Sequence, residues 1–304
     1  MVKIKRKVIQ IANSTQLISL PRKWTLKYGI KKGDELEVEE QGDVIKVSTE
    51  KDVLSSKIEI DFRGKESVIH RALSSLYRAG YDEIKIRFEK PSELKLIQST
   101  INQELIGFEV IEETKENIVV RQVSKINPSE FESMLRRIFI FLVNTSDEIS
   151  TALKSGNMDE LNNLVLRDVT INKLTDYCRR ALNKKESYFK HLGPGYVIIE
   201  LLEKISDGYR DLCKYASQNK IKISKQILDA LHEINLMLRD SQKMFYSFNL
   251  NEMQEFIIKR DKINRDISEL AKNTKKGEAE LLIHLKGMAD NIFYLNGPIM
   301  VNGL

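Results

Sequence analysis

Ser19-Leu20-Pro21-Arg22-Lys23, followed shortly by Gly29-Ile30-Lys31-Lys32-Gly33-Asp34, is the stretch that decides the fold of the N-terminal region. Pro21 has its φ preset near the helical value and no N–H to leave unbonded, so it suits the start of a helix. The spacing predicts a helix of about two turns from Arg22 to Tyr28, closed at Gly29, which enters a left-handed stop at no steric cost. Outward from this helix the residues alternate. Val8, Ile9 and Ile11 form a strand and Leu17-Ile18-Ser19-Leu20 a second, across the turn residues Asn13-Ser14-Thr15-Gln16. On the C-terminal side, Leu36-Glu37-Val38-Glu39 and Val44-Ile45-Lys46-Val47 alternate about Gln41-Gly42-Asp43. Residues 1–50 thus read as one unit of short strands. Such a unit buries too little apolar surface to stand alone, and a homodimer is expected.

Charge is sorted sharply along this unit. Residues 1–32 hold Lys3, Lys5, Arg6, Lys7, Arg22, Lys23, Lys27, Lys31 and Lys32 with no acid, whereas residues 33–50 are acidic with Lys46 as the one cation. Separation of this kind puts one sign on one surface, and a basic surface is the footprint of a polyanion partner. Double-stranded DNA is the expected one, since each phosphate neutralised by Lys or Arg releases counterions. Lys5, Arg6 and Lys7 on the first strand and Arg22, Lys23 and Lys27 on the short helix are the candidate contacts. Arg6 and Arg22 are the candidates for bidentate reading of guanine. Asn13 and Thr15, with Ser14 and Gln16, suit phosphate oxygens. Trp24 reads as a core residue of the short helix.

Residues 8–47, through Ser19–Lys23, Gly29–Asp34 and the run Glu35–Glu39, resemble the AbrB/MazE/SpoVT swapped-hairpin family. The resemblance implies two chains interleaved into one β-barrel that binds DNA.

Residues 57–123 form a second unit of alternating element types. Ile58–Phe62 reads as a strand, Ser67–Ala79 as a helix closed by Gly80, and Glu83–Phe88 as an alternating strand. Pro91–Leu105 gives another helix, and Phe108–Ile111 pairs with Ile118–Val120 as a hairpin. The order is βαβαββ, a small α+β unit with its helices on one sheet face. No residue in it carries recognisable chemistry, and a spacer or dimerisation role is the reading.

From Pro128 to about residue 300 the pattern is helical. Six helices are expected over residues 128–155, 157–184, 193–219, 224–249, 251–274 and 276–296. Long helices with short loops predict antiparallel bundles. An internal repeat divides them: Arg167-Asp168-Val169-Thr170-Ile171-Asn172 is echoed by Arg260-Asp261-Lys262-Ile263-Asn264, and Ile205-Ser206-Asp207 by Met288-Ala289-Asp290. Two three-helix bundles in tandem account for both echoes.

This half resembles the PhoU family of phosphate-uptake regulators through Leu202-Glu203-Lys204-Ile205-Ser206-Asp207 and Arg167-Asp168-x-x-Ile171-Asn172-x-Leu174. A MazE-like head on a PhoU-like body is the order of archaeal regulators of this type. The resemblance implies tandem three-helix bundles and a divalent or iron cation on carboxylates one helical turn apart. It also implies a partner such as a phosphate-transporter ATPase or another regulatory protein. In the first bundle Asp168, Glu203 and Asp207 match the metal pattern, and hard cations favour such oxygens. Asn172, Arg260 and Lys286 depart from it: one replaces a charged ligand by a neutral one, and two place cations where acids would stand.

The chain as a whole reads as an α+β multidomain protein. Its charged content of 31 % and aromatic content of 7 % suit a helix-rich protein. No apolar run reaches the ~20 residues that span a bilayer, the basic N-terminus does not lead into a signal sequence, and Cys178 and Cys213 make no disulfide framework. A cytoplasmic location without membrane insertion is expected. Gly-x-Ser-x-Gly, Walker A and His-Glu-x-x-His are absent from the sequence, so no enzyme is expected. The expected function is transcriptional regulation through DNA, linked to phosphate homeostasis. The alternative is an adaptor on a phosphate transporter or sensor kinase with the head used for dimerisation. An antitoxin would not need the helical body.

Overall fold

The computed structural model describes residues 5–11, 15–41, 44–48, 56–124, 128–184, 189–221, 223–273 and 276–304. It divides into two compact units, Met1–Ser56 and Lys57–Leu304.

The first unit consists of two hairpins and one short helix. β1 (Val8–Ile11) pairs antiparallel with β2 (Thr15–Ile18), and β3 (Glu37–Gln41) with β4 (Val44–Ser48). The two pairs are separate sheets. Between them lies α1 (Arg22–Lys27), entered through Pro21 and followed by Gly29 in the left-handed region at φ 61°. The expected second strand thus ends at Ile18, leaving Ser19 and Leu20 as an extended lead into Pro21. Among the described residues of this unit none is buried. Val8, Ile9, Ile11, Leu17, Ile18, Leu26, Val38 and Ile45 are all exposed, from 44 % at Leu17 to 70 % at Leu26. A two-stranded hairpin with its apolar side chains in water is marginal at best.

The second unit has two layers built on a helical body. β5 (Lys57–Asp61), α2 (Ile69–Ala79), β6 (Glu83–Arg87), α3 (Pro91–Glu104), β7 (Phe108–Glu113) and β8 (Asn117–Gln122) follow the expected βαβαββ order. The sheet order is β5-β6-β8-β7, with β5 parallel to β6 and the other pairs antiparallel. Ile84, Ile86, Ile118 and Val120 are buried with Ile69, Leu73, Tyr77, Ile97 and Ile101 of the two helices. The alternate strand residues carry ion pairs, Lys57–Glu83 at 3.0 Å, Arg121–Glu83 at 2.6 Å and Arg87–Glu59 at 2.5 Å.

The helical body comprises α4 (Pro128–Ser155), α5 (Met158–Val165), α6 (Arg167–Asn183), α7 (Leu192–Asn219), α8 (Lys225–Tyr246), α9 (Leu250–Asn273) and α10 (Lys276–Gly303). Helices α4 to α7 make one bundle and α8 to α10 the other, joined through α7 against α10 and α4 against α8. One continuous apolar core runs through both. Asn235 ties them together: Tyr209 Oη donates to its Oδ1 at 2.7 Å, and its Nδ2 donates to Ser146 O and Ser150 Oγ at 2.9 Å. Cys178 and Cys213 are buried thiols, and burial pushes Cys213 up to about 12.

Two differences from the sequence reading stand out. The single helix expected over 157–184 is broken at Leu166, where the Leu166 and Val169 amides turn back three residues, to Asn163 O and Leu166 O. No glycine or proline marks the break. The last helix does not stop before Gly297-Pro298 but continues to Gly303. Pro298 stands inside this helix, without an amide to bond one turn back and with its ring against that turn's carbonyl, and the helix runs on past it, with Asn302 Nδ2 donating to Pro298 O at 3.1 Å.

Residues 57–124 are not a free spacer, because α2 and α3 pack on α6. Arg180 of α6 is the bolt. Its side chain is fully buried, and Nη1 donates to Tyr77 O and Tyr81 O at 2.8 Å each. Nη2 reaches Asp82 at 2.9 Å and Gln122 Oε1 at 2.6 Å. The guanidinium also lies over the rings of Tyr77 and Phe108, at 5.0 and 4.8 Å.

Candidate functional site

In the N-terminal unit the predicted DNA contacts are placed as follows. Lys5, Arg6 and Lys7 precede β1, Thr15 opens β2, and Arg22, Lys23 and Lys27 lie on α1. Asn13 lies outside the described residues. All of the described candidates are exposed. Lys27 Nζ lies 5.2 Å from the Tyr28 ring centroid, and Trp24 packs on Tyr28 at 5.6 Å. Trp24 is half-buried, not a core residue in one copy of the chain. Asp34 accepts from the Lys31 amide at 2.8 Å, which fixes the turn after α1. Among the described residues, none of Lys5, Arg6, Lys7, Arg22, Lys23 and Lys27 makes an ion pair, so their charge faces solvent.

The carboxylates of the helical body are arranged quite differently. Asp168 of α6 is 7 % exposed and accepts from Ser206 Oγ at 2.7 Å, from Arg210 Nη1 at 2.8 Å and from Asn172 Nδ2 at 3.1 Å. Arg210, one turn beyond Asp207 on α7, also pairs with Asp207 and Asp211. Glu203 turns to a different cation. It pairs with the buried Arg179, which also holds Glu200 and Asp176, and accepts from Thr175 Oγ1 at 3.1 Å. Asp176 is pushed above the usual carboxylate range by burial, which Arg78 and Arg179 counter.

These residues do not fit a cation cluster. Asp168 and Asp207 meet on a guanidinium, and Glu203 meets another. The void beside Asp168 and Arg210 measures about 10 Å³, room for a single water. Among the described residues, no three His, Cys, Asp or Glu side chains converge as a metal site. Positive charge that a metal would supply is supplied here by arginine.

The second bundle answers the first with different chemistry at matching positions. Counting from the shared Ile-Asn pairs at 171–172 and 263–264, Asp168 corresponds to Arg260. Counting from Asp207 and Asp290, Arg210 corresponds to Phe293. Arg260 lies over the Phe293 ring at 4.0 Å and reaches Asp261 at 2.9 Å. Lys286, the counterpart of Glu203, pairs along its own helix with Asp290 at 2.6 Å. Sequence reading missed Arg179, Arg180 and Arg210. The available signals were the i to i+3 spacing of Asp207 and Arg210, and the two arginines enclosed by Cys178 and Ala181.

Comparison with known proteins follows the same division of the chain. Residues 9–54 match the family model described as antidote-toxin recognition MazE, bacterial antitoxin. Three solved structures resemble the chain. The phosphate transport system regulatory protein PhoU from Streptococcus pneumoniae is 15 % identical, covers 57 % of this chain and 92 % of its own, with a TM-score of 0.48. A PhoU-like protein from Shewanella oneidensis MR-1 is 9 % identical, covering 59 % of this chain and 98 % of its own with a TM-score of 0.36. A second Shewanella structure, a putative PhoU-like phosphate regulatory protein, is also 9 % identical, covering 59 % and 97 % at 0.37. At these identities and scores the likeness assigns no function. No curated protein matches the chain. The chain is thus similar to MazE over residues 9–54, and has PhoU and PhoU-like proteins among its structural neighbours. Among the described residues no helix is long and apolar enough to cross a membrane.

Proposed function

We propose that this protein is a DNA-binding transcriptional regulator that acts as a dimer, with Lys5, Arg6, Lys7, Arg22, Lys23 and Lys27 on the DNA side. Asn13 and Thr15 are the proposed phosphate contacts beside them. The observation that carries the reading is the state of the N-terminal unit in one chain. Val8, Ile9, Ile11, Leu17, Ile18, Val38 and Ile45 of its strands are exposed, and the six cations named above are exposed and make no ion pair among the described residues. A second copy supplies the missing core, and the doubled cations then share one polyanion-binding surface. The MazE match over residues 9–54 supports the same reading. The link to phosphate homeostasis rests on the sequence resemblance of residues 167–174 and 202–207. In this reading the helical body is the part that receives the signal, from a protein partner such as a transporter ATPase.

The test is fluorescence anisotropy with duplexes selected from genomic DNA, across a salt series. Wild type is expected to bind selected sequences with an affinity that falls steeply with salt, by a slope of roughly 0.9 per phosphate contacted. Arg22→Ala/Lys23→Ala should weaken binding and flatten that slope. Unchanged affinity and slope in the variant would remove the basic surface from the account.

A further inference from the structure

Between α8 and α9 runs a groove of about 590 Å³ lined by described residues of those two helices. Its floor is apolar, formed by Ala230, Ile263 and Leu270. Its walls carry Asp229 and Glu233, one turn apart on α8, and Asp266 and Glu269 on α9. His232 and Lys262 are the basic groups beside them.

These four carboxylates differ from the ion-paired ones of the body. Asp147, Glu148, Asp168, Asp207, Asp240 and Glu252 are each held by a Lys or Arg. Among the described residues, no ion pair or side-chain hydrogen bond engages Asp229, Glu233, Asp266 or Glu269. They rim an apolar surface as four carboxylates against one lysine and one histidine, Lys262 and His232. Nor is this a general property of the protein, whose net charge is +5. The groove is a local reversal of sign, so a polycation drawn to it is drawn by the groove itself.

Its shape specifies the rest. The walls are two neighbouring helices of an antiparallel hairpin, and a third helix laid between such walls sets its side-chain ridges into theirs. From Lys262 to Leu270 the wall extends by eight residue rises, about 12 Å at 1.5 Å each. That length takes about two turns of a guest helix, enough for apolar side chains at i, i+3 or i+4, and i+7.

We propose that this groove docks a basic amphipathic helix of a protein partner. The guest's apolar stripe lies on Ala230, Ile263 and Leu270, and flanking Lys or Arg residues meet the two acidic walls. The proposal is independent of the DNA-binding reading.

The probe is a fluorescein-labelled peptide of about 18 residues, long enough to form helix, with Leu at helical spacing and Lys elsewhere. It is titrated with the full chain, next to a companion in which Glu replaces each Lys. The protein variant is Asp229→Asn/Glu233→Gln/Asp266→Asn/Glu269→Gln, near-isosteric and confined to a partly solvated surface, with its fold checked by thermal melting. Saturable binding of the Lys peptide is expected, weakened about tenfold or more in the variant and in the Glu peptide. Spermine, cationic without an apolar stripe, should displace the peptide poorly. Equal binding by wild type and variant would overturn the proposal, as would equal binding of the two peptides. Efficient displacement by spermine would reduce the groove to an acidic patch and overturn the helix.

Discussion

Arg210 and Asp168 join α7 to α6 across the first bundle, the guanidinium Nη1 2.8 Å from a carboxylate oxygen that is almost shut off from water. At the matching positions of the second bundle, Arg260 lies over Phe293 at 4.0 Å. One repeat closes its helix pair with an ion pair and the other with a cation on a ring. Their sensitivities should differ accordingly. Arg210→Met strands Asp168 without its counter-charge and should cost about 2–4 kcal/mol, since Arg210 keeps some contact with solvent. Arg260→Met removes a cation–π contact and should cost about 0.5–2 kcal/mol. Urea denaturation measures both, and a larger loss for Arg260→Met would contradict the comparison.

The same arginine makes a prediction about metals. With Arg210 in place, added Mn²⁺ should leave the melting temperature unchanged. Arg210→Ala removes the cation shared by Asp168, Asp207 and Asp211, leaving Lys204 on Asp207, so that variant should gain a metal-dependent stabilisation that scales with concentration. A stabilisation of wild type equal to that of the variant would show that the guanidinium does not take the cation's place.

Arg180 fixes the α+β layer to the helical body. Arg180→Met takes one cation from Asp82, which keeps its pair with Lys184, and strips a partner from two carbonyls and Gln122. A loss of about 3–5 kcal/mol is expected. Hydrogen exchange should show α2 and β6 losing protection before the helices of the body. Uniform loss across the unit would contradict the role given to this residue.

Glu93 gives the α+β layer an acid-sensitive anchor. Its carboxylate accepts from the amides of Gly64 at 2.6 Å, Glu89 at 2.8 Å and Lys90 at 3.0 Å, and these bonds hold it below the ordinary glutamate value. A depressed folded value means stability that is present above the unfolded value and lost as pH falls through the folded one. Glu93→Gln should therefore be less stable than wild type at neutral pH. The gap should narrow as pH drops below the ordinary glutamate range. A gap independent of pH would sink the assignment.

Much of the fold could be read from the residues, for physical reasons that can be named. Pro21 punctuates by its fixed φ, Gly29 and Gly80 by the left-handed turn they alone take without strain, and Glu83–Arg87 alternates because one face is buried. The break at Leu166 was hidden: Leu161, Leu164, Asp168, Ile171 and Leu174 keep a helical rhythm straight through it. The continuation past Pro298 was hidden for the opposite reason, a breaker residue tolerated inside a helix. At the sites, acids could be found by their one-turn spacing, and Arg210 by its spacing from Asp207, but not the contacts these arginines make with a neighbouring helix. Arg179 and Arg210 reach across helices, and no spacing within one helix announces that.

The amino-terminal unit bears the functional claim most directly. Ile9 and Ile45 are 55 % and 69 % exposed in one chain, so burying them in a partner is where their energy would lie. Ile9→Asp/Ile45→Asp should leave the helical body's melting unaffected while abolishing self-association and DNA binding together. Loss of one without the other would separate dimerisation from DNA recognition.

Light scattering on the full chain, alone and with a bound duplex, is the decisive measurement. The account predicts a particle of twice the 35.2 kDa chain mass in both states, before the mass of the DNA is added. A chain that stays single, and binds duplex as a single copy, would contradict it.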